Sequence, residues 1–266
     1  MADRNSMAWC RARLLALQAV KTSYSQRELD EVLAGSQPRL GWDFSRMRAS
    51  RAPVPWEYAE VVGRYLRPAD EVLDVGTGDG ARFADLAGKF GGGLGVDPDP
   101  DMIRLAAQAY PTPVLEFRIG DARLTGIAAS FDVIINRHAS LDLAAIAARL
   151  KPGGYFVTQQ VGERNMTSVK EALRTPPGAP PISAAAVTAA GLRLIAFCEY
   201  DVKYIVHDID SLVYWFGALD LPHADLAGAD ALASADVLNA VLAGNVGADG
   251  FVTNEHRYLV VAGARR

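Results

Sequence analysis

The sequence predicts an α/β fold: a doubly wound, mostly parallel sheet of seven strands with helices on both faces. Two observations point to it. From about residue 71 onward, short apolar runs alternate with stretches of helical spacing, the pattern of a parallel sheet clothed by helices. The composition, 50% hydrophobic and 22% charged over 266 residues, supplies a sizeable core plus a cap, and it excludes disordered, collagen-like and low-complexity classes.

Taken in order, Met7–Val20 sets Trp9, Leu14, Leu15, Leu17 and Val20 against Arg11, Arg13 and Gln18, a stripe that predicts a surface helix. Gly35–Pro55 is rich in turn formers and holds Trp42, Phe44, Arg46, Arg48 and Arg51, a connector with aromatic anchors and a solvated basic stretch. Pro55 suits a first helical turn, and Trp56–Leu66 keeps helical spacing until Pro68 stops it. Strands are expected at Glu71–Val75, Gly92–Val96, Val114–Ile119, Phe131–Ile135 and Gly154–Val161, with helices beginning near Ala81, Pro100 and Ala139. Thr175–Pro181 reads as an exposed proline-rich loop. A strand Leu192–Val206, a helix Ile209–Leu219, an alanine-rich helix around Ala231–Ala243 and a closing strand His256–Ala262 complete the chain. This organisation divides it into an N-terminal helical cap or lid, residues 1–52, and a main domain, residues 53–266. In the latter, a helical insertion at about 208–250 shares in the substrate cap.

The formal charge is -4, from 27 basic and 31 acidic residues, so no general field attracts phosphate backbones or anionic lipid. A small-molecule acceptor is the expected partner, with neither nucleic acid nor membrane, and homodimerisation is left open. Two cysteines far apart, Cys10 and Cys198, make neither a disulfide framework nor a metal site and fit a cytoplasmic location. The four histidines have no metal-ligand spacing, and no metal is expected. No run approaches the roughly 18 apolar residues of a membrane span, and the stretch after Arg4 lacks the marks of a secretory leader.

The chemistry sits where the first strand of the sheet runs into Asp74-Val75-Gly76-Thr77-Gly78-Asp79-Gly80-Ala81. Glycines there permit positive φ and bring bare backbone close to a ligand at a helix N-terminus. Gly76-x-Gly78-x-x-Ala81 also satisfies the dinucleotide fingerprint, so the glycines alone do not choose a cofactor. Three carboxylates do: Asp74 before the first glycine, Asp97 closing the second strand ahead of Pro98, and Asp121-Ala122 after the third. Asp97 suits ribose hydroxyls in either cofactor class, and Asp121 an adenine amino group. Asp74 repels a pyrophosphate and attracts an ammonium group, which favours S-adenosylmethionine.

With these motifs in order, the stretch from Trp56 to Val161 resembles the class I S-adenosylmethionine-dependent methyltransferases. Asp74-x-Gly76-x-Gly78-x-Gly80 is similar to their first motif, Asp97 to their ribose-binding acid, and Asp121-Ala122 to their adenine-binding pair. Phe131-Asp132 and Arg149-Leu150-Lys151-Pro152-Gly153-Gly154 are similar to the entries of their fourth and fifth strands. Trp42-Asp43-Phe44-Ser45, Pro53-Val54-Pro55-Trp56, Asn136-Arg137-His138 and Thr158-Gln159-Gln160-Val161-Gly162 resemble a narrower bacterial subgroup without an assigned substrate. The resemblance implies a Rossmann-like methyltransferase fold and methyl transfer from S-adenosylmethionine to an O, N or C nucleophile, with S-adenosylhomocysteine as product. Small-molecule methylation in natural-product biosynthesis is the expected setting. The alternatives are an RNA or protein methyltransferase and a non-catalytic binder of S-adenosylmethionine or S-adenosylhomocysteine.

An activated methyl needs mainly an acceptor held in line in a water-poor pocket at the C-terminal strand edges. Cofactor contacts are expected from Asp74, Gly76, Thr77, Gly78, Gly80, Asp97, Pro98, Asp121, Ala122 and Asn136. His138, with an ordinary pKa near 6.5, is the expected base. Arg137, His138, Gln160, Tyr204, His207 and Trp215 are the expected substrate contacts, with one of Gln159 and Gln160 facing the crevice. Core packing competes for the aromatic group, and His223 and His256 read as structural.

Overall fold

The structure, a computed structural model, describes residues 19–36, 42, 44–176, 178–219 and 234–265. The helix expected over Met7–Val20 falls almost wholly outside them, as do Cys10, Asp43, His223 and the first residues of the alanine-rich helix. In chain order the first elements are α1 (Gln26–Gly35), β1 (Ala49–Arg51), α2 (Tyr58–Gly63), β2 (Glu71–Val75), α3 (Ala81–Ala84), β3 (Gly92–Asp97), α4 (Pro100–Ala109) and β4 (Leu115–Ile119). There follow β5 (Phe131–Arg137), α5 (Leu143–Arg149), β6 (Leu150–Val161), α6 (Thr167–Ala172), α7 (Ala184–Ala189) and β7 (Arg193–Val206). The last are α8 (Ile209–Ala218), α9 (Ala235–Leu242), β8 (Val246–Gly247) and β9 (Gly250–Gly263). The seven expected strands are all present; the short β1 and β8 bring the number among the described residues to nine.

The chain forms two compact units. One comprises Met1–Pro53, Arg164–Pro177 and Asp201–Glu255; the other comprises Val54–Glu163, Gly178–Tyr200 and His256–Arg266. The segments 1–52 and 208–250 thus belong to the same unit, together with 164–177.

In the second unit the strands lie in the order β9-β6-β5-β2-β3-β4. Those from β6 to β4 are parallel, and β9 runs antiparallel to β6. Four of the five residues of β2 are buried, as suits a strand covered on both faces. Val72, Val133, Ile135 and Val157 pack with Phe83 and Phe90 on one side; Leu73, Val75, Ile134 and Phe156 pack together on the other. From β2 the chain moves outward to β3 and β4, then returns to β5 on the opposite flank of β2. Strand order therefore reverses between β2 and β5, where open α/β sheets leave a crevice at the carboxyl ends.

Two boundaries differ from the sequence expectation. The helix after β5 begins at Leu143, not near Ala139, because Asp142 caps it by accepting from the Ala144 and Ala145 N–H groups, and this leaves His138 in a connecting loop. The helix expected over Trp56–Leu66 shrinks to Tyr58–Gly63; Arg64 already closes a tighter turn onto Val61 O.

The first unit buries Leu29, Val169, Leu212, Phe216, Leu238, Val241 and Phe251 in one cluster. Asn239 ties α9 to the start of α1 by accepting from Tyr24 N–H at 2.8 Å and donating to Tyr24 O at 2.9 Å. Helix α1 was absent from the sequence reading, yet Ser25 and Glu28 form a reciprocal capping box, a signal visible in the letters Ser-x-x-Glu.

Candidate functional site

The site is built from the C-terminal ends of β2, β3 and β5 in the second unit. After Val75 the chain turns through Gly76, Gly78 and Gly80 at φ +78°, +57° and +77°, all in the left-handed region open to glycine. Space demands glycine as well: a Cβ on Gly76 meets the Ala139 Cβ at 2.1 Å, and one on Gly80 meets the Ala106 Cβ at 2.9 Å. Val96 O anchors the turn by accepting from the N–H groups of Gly76 and Thr77, and the Asp97 carboxylate accepts from Gly78 N–H at 2.9 Å and from Asp99 N–H at 3.0 Å.

Asp74 is buried beneath this turn. Burial pushes its carboxyl up to about 7, and the nearby Asp97 charge adds to the effect, while the Thr77 hydroxyl and the Arg137 guanidinium oppose it. Thr77 Oγ1 is itself buried and makes no hydrogen bond among the described residues; it stands close enough to restrain Asp74 without bonding geometry. The site therefore combines an acid that lacks a strong cationic partner with a cradle of bare backbone.

Asn136, expected to face a cofactor, does something else. Its side chain is fully buried; Nδ2 donates to Val75 O at 2.8 Å and Ser140 O at 3.3 Å, and Oδ1 accepts from Thr158 Oγ1 at 3.0 Å and Gln160 Nε2 at 2.5 Å. Two donors and two acceptors are all an amide has, so the cofactor contact is corrected to an internal clamp on the glycine turn. Tyr58 adds to it by donating its hydroxyl to Asn136 O at 3.1 Å. Gln160 joins the same clamp through its amide nitrogen, which donates to Asn136 Oδ1 and, at 2.8 Å, to Thr158 Oγ1.

Gln159 is the glutamine that reaches the loop. Its Oε1 accepts from Trp56 Nε1 at 3.0 Å, and its Nε2 lies 3.0 Å from His138 Nε2. His138 has φ +58° and donates its backbone N–H to Gln159 O at 2.9 Å. The residue is exposed, yet dense protein surrounds the ring; this crowding first, then Arg137 and Arg257, hold the imidazole well below its ordinary pKa. Arg137 itself lies 5.8 Å from the Tyr58 ring centre. Trp56 was missed as a functional candidate: it stands 103 positions from Gln159, and no local spacing links them.

Asp121 and Pro98 are exposed, and Ala122 packs on the core beneath. Asp121 accepts from Arg123 N–H at 3.0 Å. Ile119 ends β4 opposite Asp97 with 66% of its surface exposed, an apolar face the sequence reading had not singled out.

A family model for a methyltransferase domain matches residues 72–154, the stretch that carries the glycine turn, Asp97, Asp121 and His138. Over those residues the chain is similar to a methyltransferase domain. A ribosomal protein L11 methyltransferase from Thermus thermophilus is 37% identical over 122 residues, which is 43% of this chain and 47% of that protein. The chain thus spans about half the length of the curated relative it matches. Among solved structures, a protein of Bacillus halodurans described as a candidate methyltransferase is similar at a TM-score of 0.54 and 14% identity, over 79% of this chain and 99% of that one. A structure concerned with the conversion of a disulfide bond into a thioacetal group during echinomycin biosynthesis is similar at 0.50 and 20%, over 91% and 92%. At these identities the likeness is one of fold.

The remaining expected substrate contacts belong to the first unit. Tyr204 meets Trp215 at 5.2 Å, and Trp215 stacks on the buried Phe216. His207 is tied by both ring nitrogens, to Asp249 O at 2.8 Å and Ser50 Oγ at 3.0 Å. The connector arginines are engaged as well: Arg46 over the Tyr214 ring, Arg48 with Asp208 and Arg51 with Glu255. His256 is fully buried and pairs with Glu199 at 2.9 Å. Among the described residues no helix is long and apolar enough to cross a membrane, and no group of three His, Cys, Asp or Glu side chains could hold a metal.

Proposed function

We propose that the methyltransferase domain binds S-adenosylmethionine at the Asp74–Ala81 turn and transfers its methyl group to an O, N or C nucleophile of a small-molecule acceptor, releasing S-adenosylhomocysteine. The observation that carries this reading is the buried Asp74 beside a turn in which neither Gly76 nor Gly80 has room for a Cβ. A diphosphate brought there meets a second anion; an ammonium group gives the carboxyl the counter-charge it lacks. The orphaned Thr77 hydroxyl supplies one more polar contact for the same end of the ligand.

Asp97, with Pro98 beside it, takes the ribose: each carboxylate oxygen keeps a second lone pair after holding the Gly78 and Asp99 N–H groups. Asp121 and Ala122 take the adenine edge, and the exposed Ile119 offers the ring an apolar surface. When bound, S-adenosylmethionine supplies a sulfonium methyl: the acceptor lone pair forms the new bond to carbon as the carbon–sulfur electrons return to sulfur. The chain's own part is to orient and to exclude water, which suffices for most of the rate where the electrophile is already activated.

The formal charge of -4 supports a small acceptor over RNA, and we infer natural-product biosynthesis as its setting. A second reading, methylation of a protein, is favoured by the relative that is a ribosomal protein L11 methyltransferase. Titration calorimetry with S-adenosylmethionine and S-adenosylhomocysteine tests the cofactor; folded protein that binds neither overturns the proposal. Product release, measured with small phenols, amines and carboxylates on one side and ribosomal protein on the other, then chooses between the two acceptors.

A further inference from the structure

We propose that Gln159, oriented by Trp56, holds His138 as the Nδ1–H tautomer, which makes its imidazole a hydrogen-bond donor toward the methyl acceptor and not a general base. The role toward an acceptor rests on the methyl-transfer reading above; the tautomer stands on geometry alone.

The argument is one of donors and acceptors. An indole N–H donates only, so the Trp56 contact at 3.0 Å fixes the oxygen of the Gln159 amide on the indole side. The NH2 of that amide therefore faces His138 Nε2 at 3.0 Å, and an amide nitrogen also donates only. His138 Nε2 must then be the bare lone pair, and in a neutral imidazole the proton falls to Nδ1. An imidazolium would set two donors face to face, beside the like charges of Arg137 at the end of β5 and Arg257 on β9.

The backbone holds the ring in place for this exchange. The His138 N–H reaches Gln159 O, and the residue keeps φ +58°, a conformation a non-glycine residue adopts at a cost of about 1 kcal/mol. Gln159 is buried while His138 is exposed, and Nδ1 has no partner among the described residues. The lone pair a base would use is occupied, and the N–H a donor would use is free. The fitting acceptor accordingly carries its own lone pair at neutral pH, as a carboxylate, free amine or ionised phenol does, together with an oxygen or nitrogen that accepts from Nδ1–H. Any proton it bears leaves to solvent, and none is taken by His138.

The test is long-range proton–nitrogen NMR on the full chain with nitrogen-15 histidine, His138 being assigned by the signal lost in His138→Ala. Between pH 5.5 and 8 we expect a protonated Nδ1, a bare Nε2 and no titration near 6.5. A protonated Nε2, or a midpoint at or above 6.5, overturns the proposal. Gln159→Glu replaces the donor by an acceptor; it should move the proton to Nε2 and raise the midpoint by at least one unit, about a tenfold change in proton affinity. Should that variant not fold, Trp56→Phe frees the amide to flip and should give a mixture of tautomers. If the signals of a folded Gln159→Glu or Trp56→Phe match the wild type, Gln159 does not orient the ring. These spectra are read without cofactor, so a failure to bind S-adenosylhomocysteine would sink the methyl-transfer reading and leave the tautomer result standing.

Discussion

Asp74 makes the cofactor reading quantitative. Its carboxyl titrates at about 7 in the free protein because burial penalises the anion. A bound ammonium favours the anion, so the ligand should select the ionised form. With that pKa the apparent dissociation constant carries a factor of about 11 at pH 6 and about 1.1 at pH 8, a tenfold weakening on acidification worth about 1.4 kcal/mol. At pH 7 about half a proton should be released per ligand. Calorimetry with S-adenosylhomocysteine at pH 6, 7 and 8, repeated in buffers of different ionisation heat, reads both quantities. Asp74→Asn should abolish the pH dependence and weaken binding at pH 8 by about 10- to 100-fold, the worth of a charge-assisted hydrogen bond. The same substitution should stabilise the free protein. A carboxyl whose folded pKa lies above its unfolded value of about 3.9 binds an extra proton when folded, so its contribution is undiminished below about pH 4 and lost as pH rises through about 7, up to roughly 4 kcal/mol. Asn carries no such loss, and its thermal midpoint should overtake that of the wild type as pH rises. Tighter binding with weaker folding, or an affinity that is flat or improves on acidification, would refute the assignment of Asp74 to the ammonium group.

Other variants probe the scaffold of the turn. Gly76→Ala drives a methyl against Ala139 at a positive φ and should cost about 1–3 kcal/mol in chemical denaturation. Adding Ala139→Gly should return the share due to the clash and leave the share due to φ. Asn136→Leu strands Val75 O, Thr158 and Gln160 in the interior and should lower stability by about 3 kcal/mol or more, visible as a lost thermal transition near growth temperature. Asp97→Ala should weaken both S-adenosylmethionine and S-adenosylhomocysteine by at least about tenfold in calorimetry. Because Asp97 also holds Gly78 N–H, Asp97→Asn, which keeps one acceptor oxygen, should retain more of the affinity.

What could be read in the letters was what is encoded locally. The glycine turn shows itself because three glycines and an acid fall within seven positions, and the strands of the second unit show themselves because burial on both faces demands unbroken apolar runs. Asn136 could not be read so. Its partners Thr158 and Gln160 lie 22 and 24 positions away on the neighbouring strand, and only the register that sets Asn136 against Thr158 brings the amides together. The choice between Gln159 and Gln160 was open for the same reason: alternation says they point apart, but which side holds Trp56 is a fact of the fold. The base role expected of His138 rested on an ordinary imidazole pKa, which carries no information about which nitrogen keeps a lone pair.

The two adjacent glutamines then divide the labour of the site. Gln160 closes the Asn136 clamp, which grips Val75 O at the first residue before the glycine turn, so the cradle is held by bonds made before any ligand arrives. Gln159 aims the loop residue that follows β5. Both side chains are buried and both amide nitrogens are held within the protein, and preorganised dipoles of this kind are where catalytic electrostatics act most strongly. Asp74 is the exception by design of its surroundings: it is left in an unfavourable state, half protonated near neutrality. Binding of a cation relieves that state, so affinity and folding stability at this position must move in opposite directions. A merely structural buried acid would move them together.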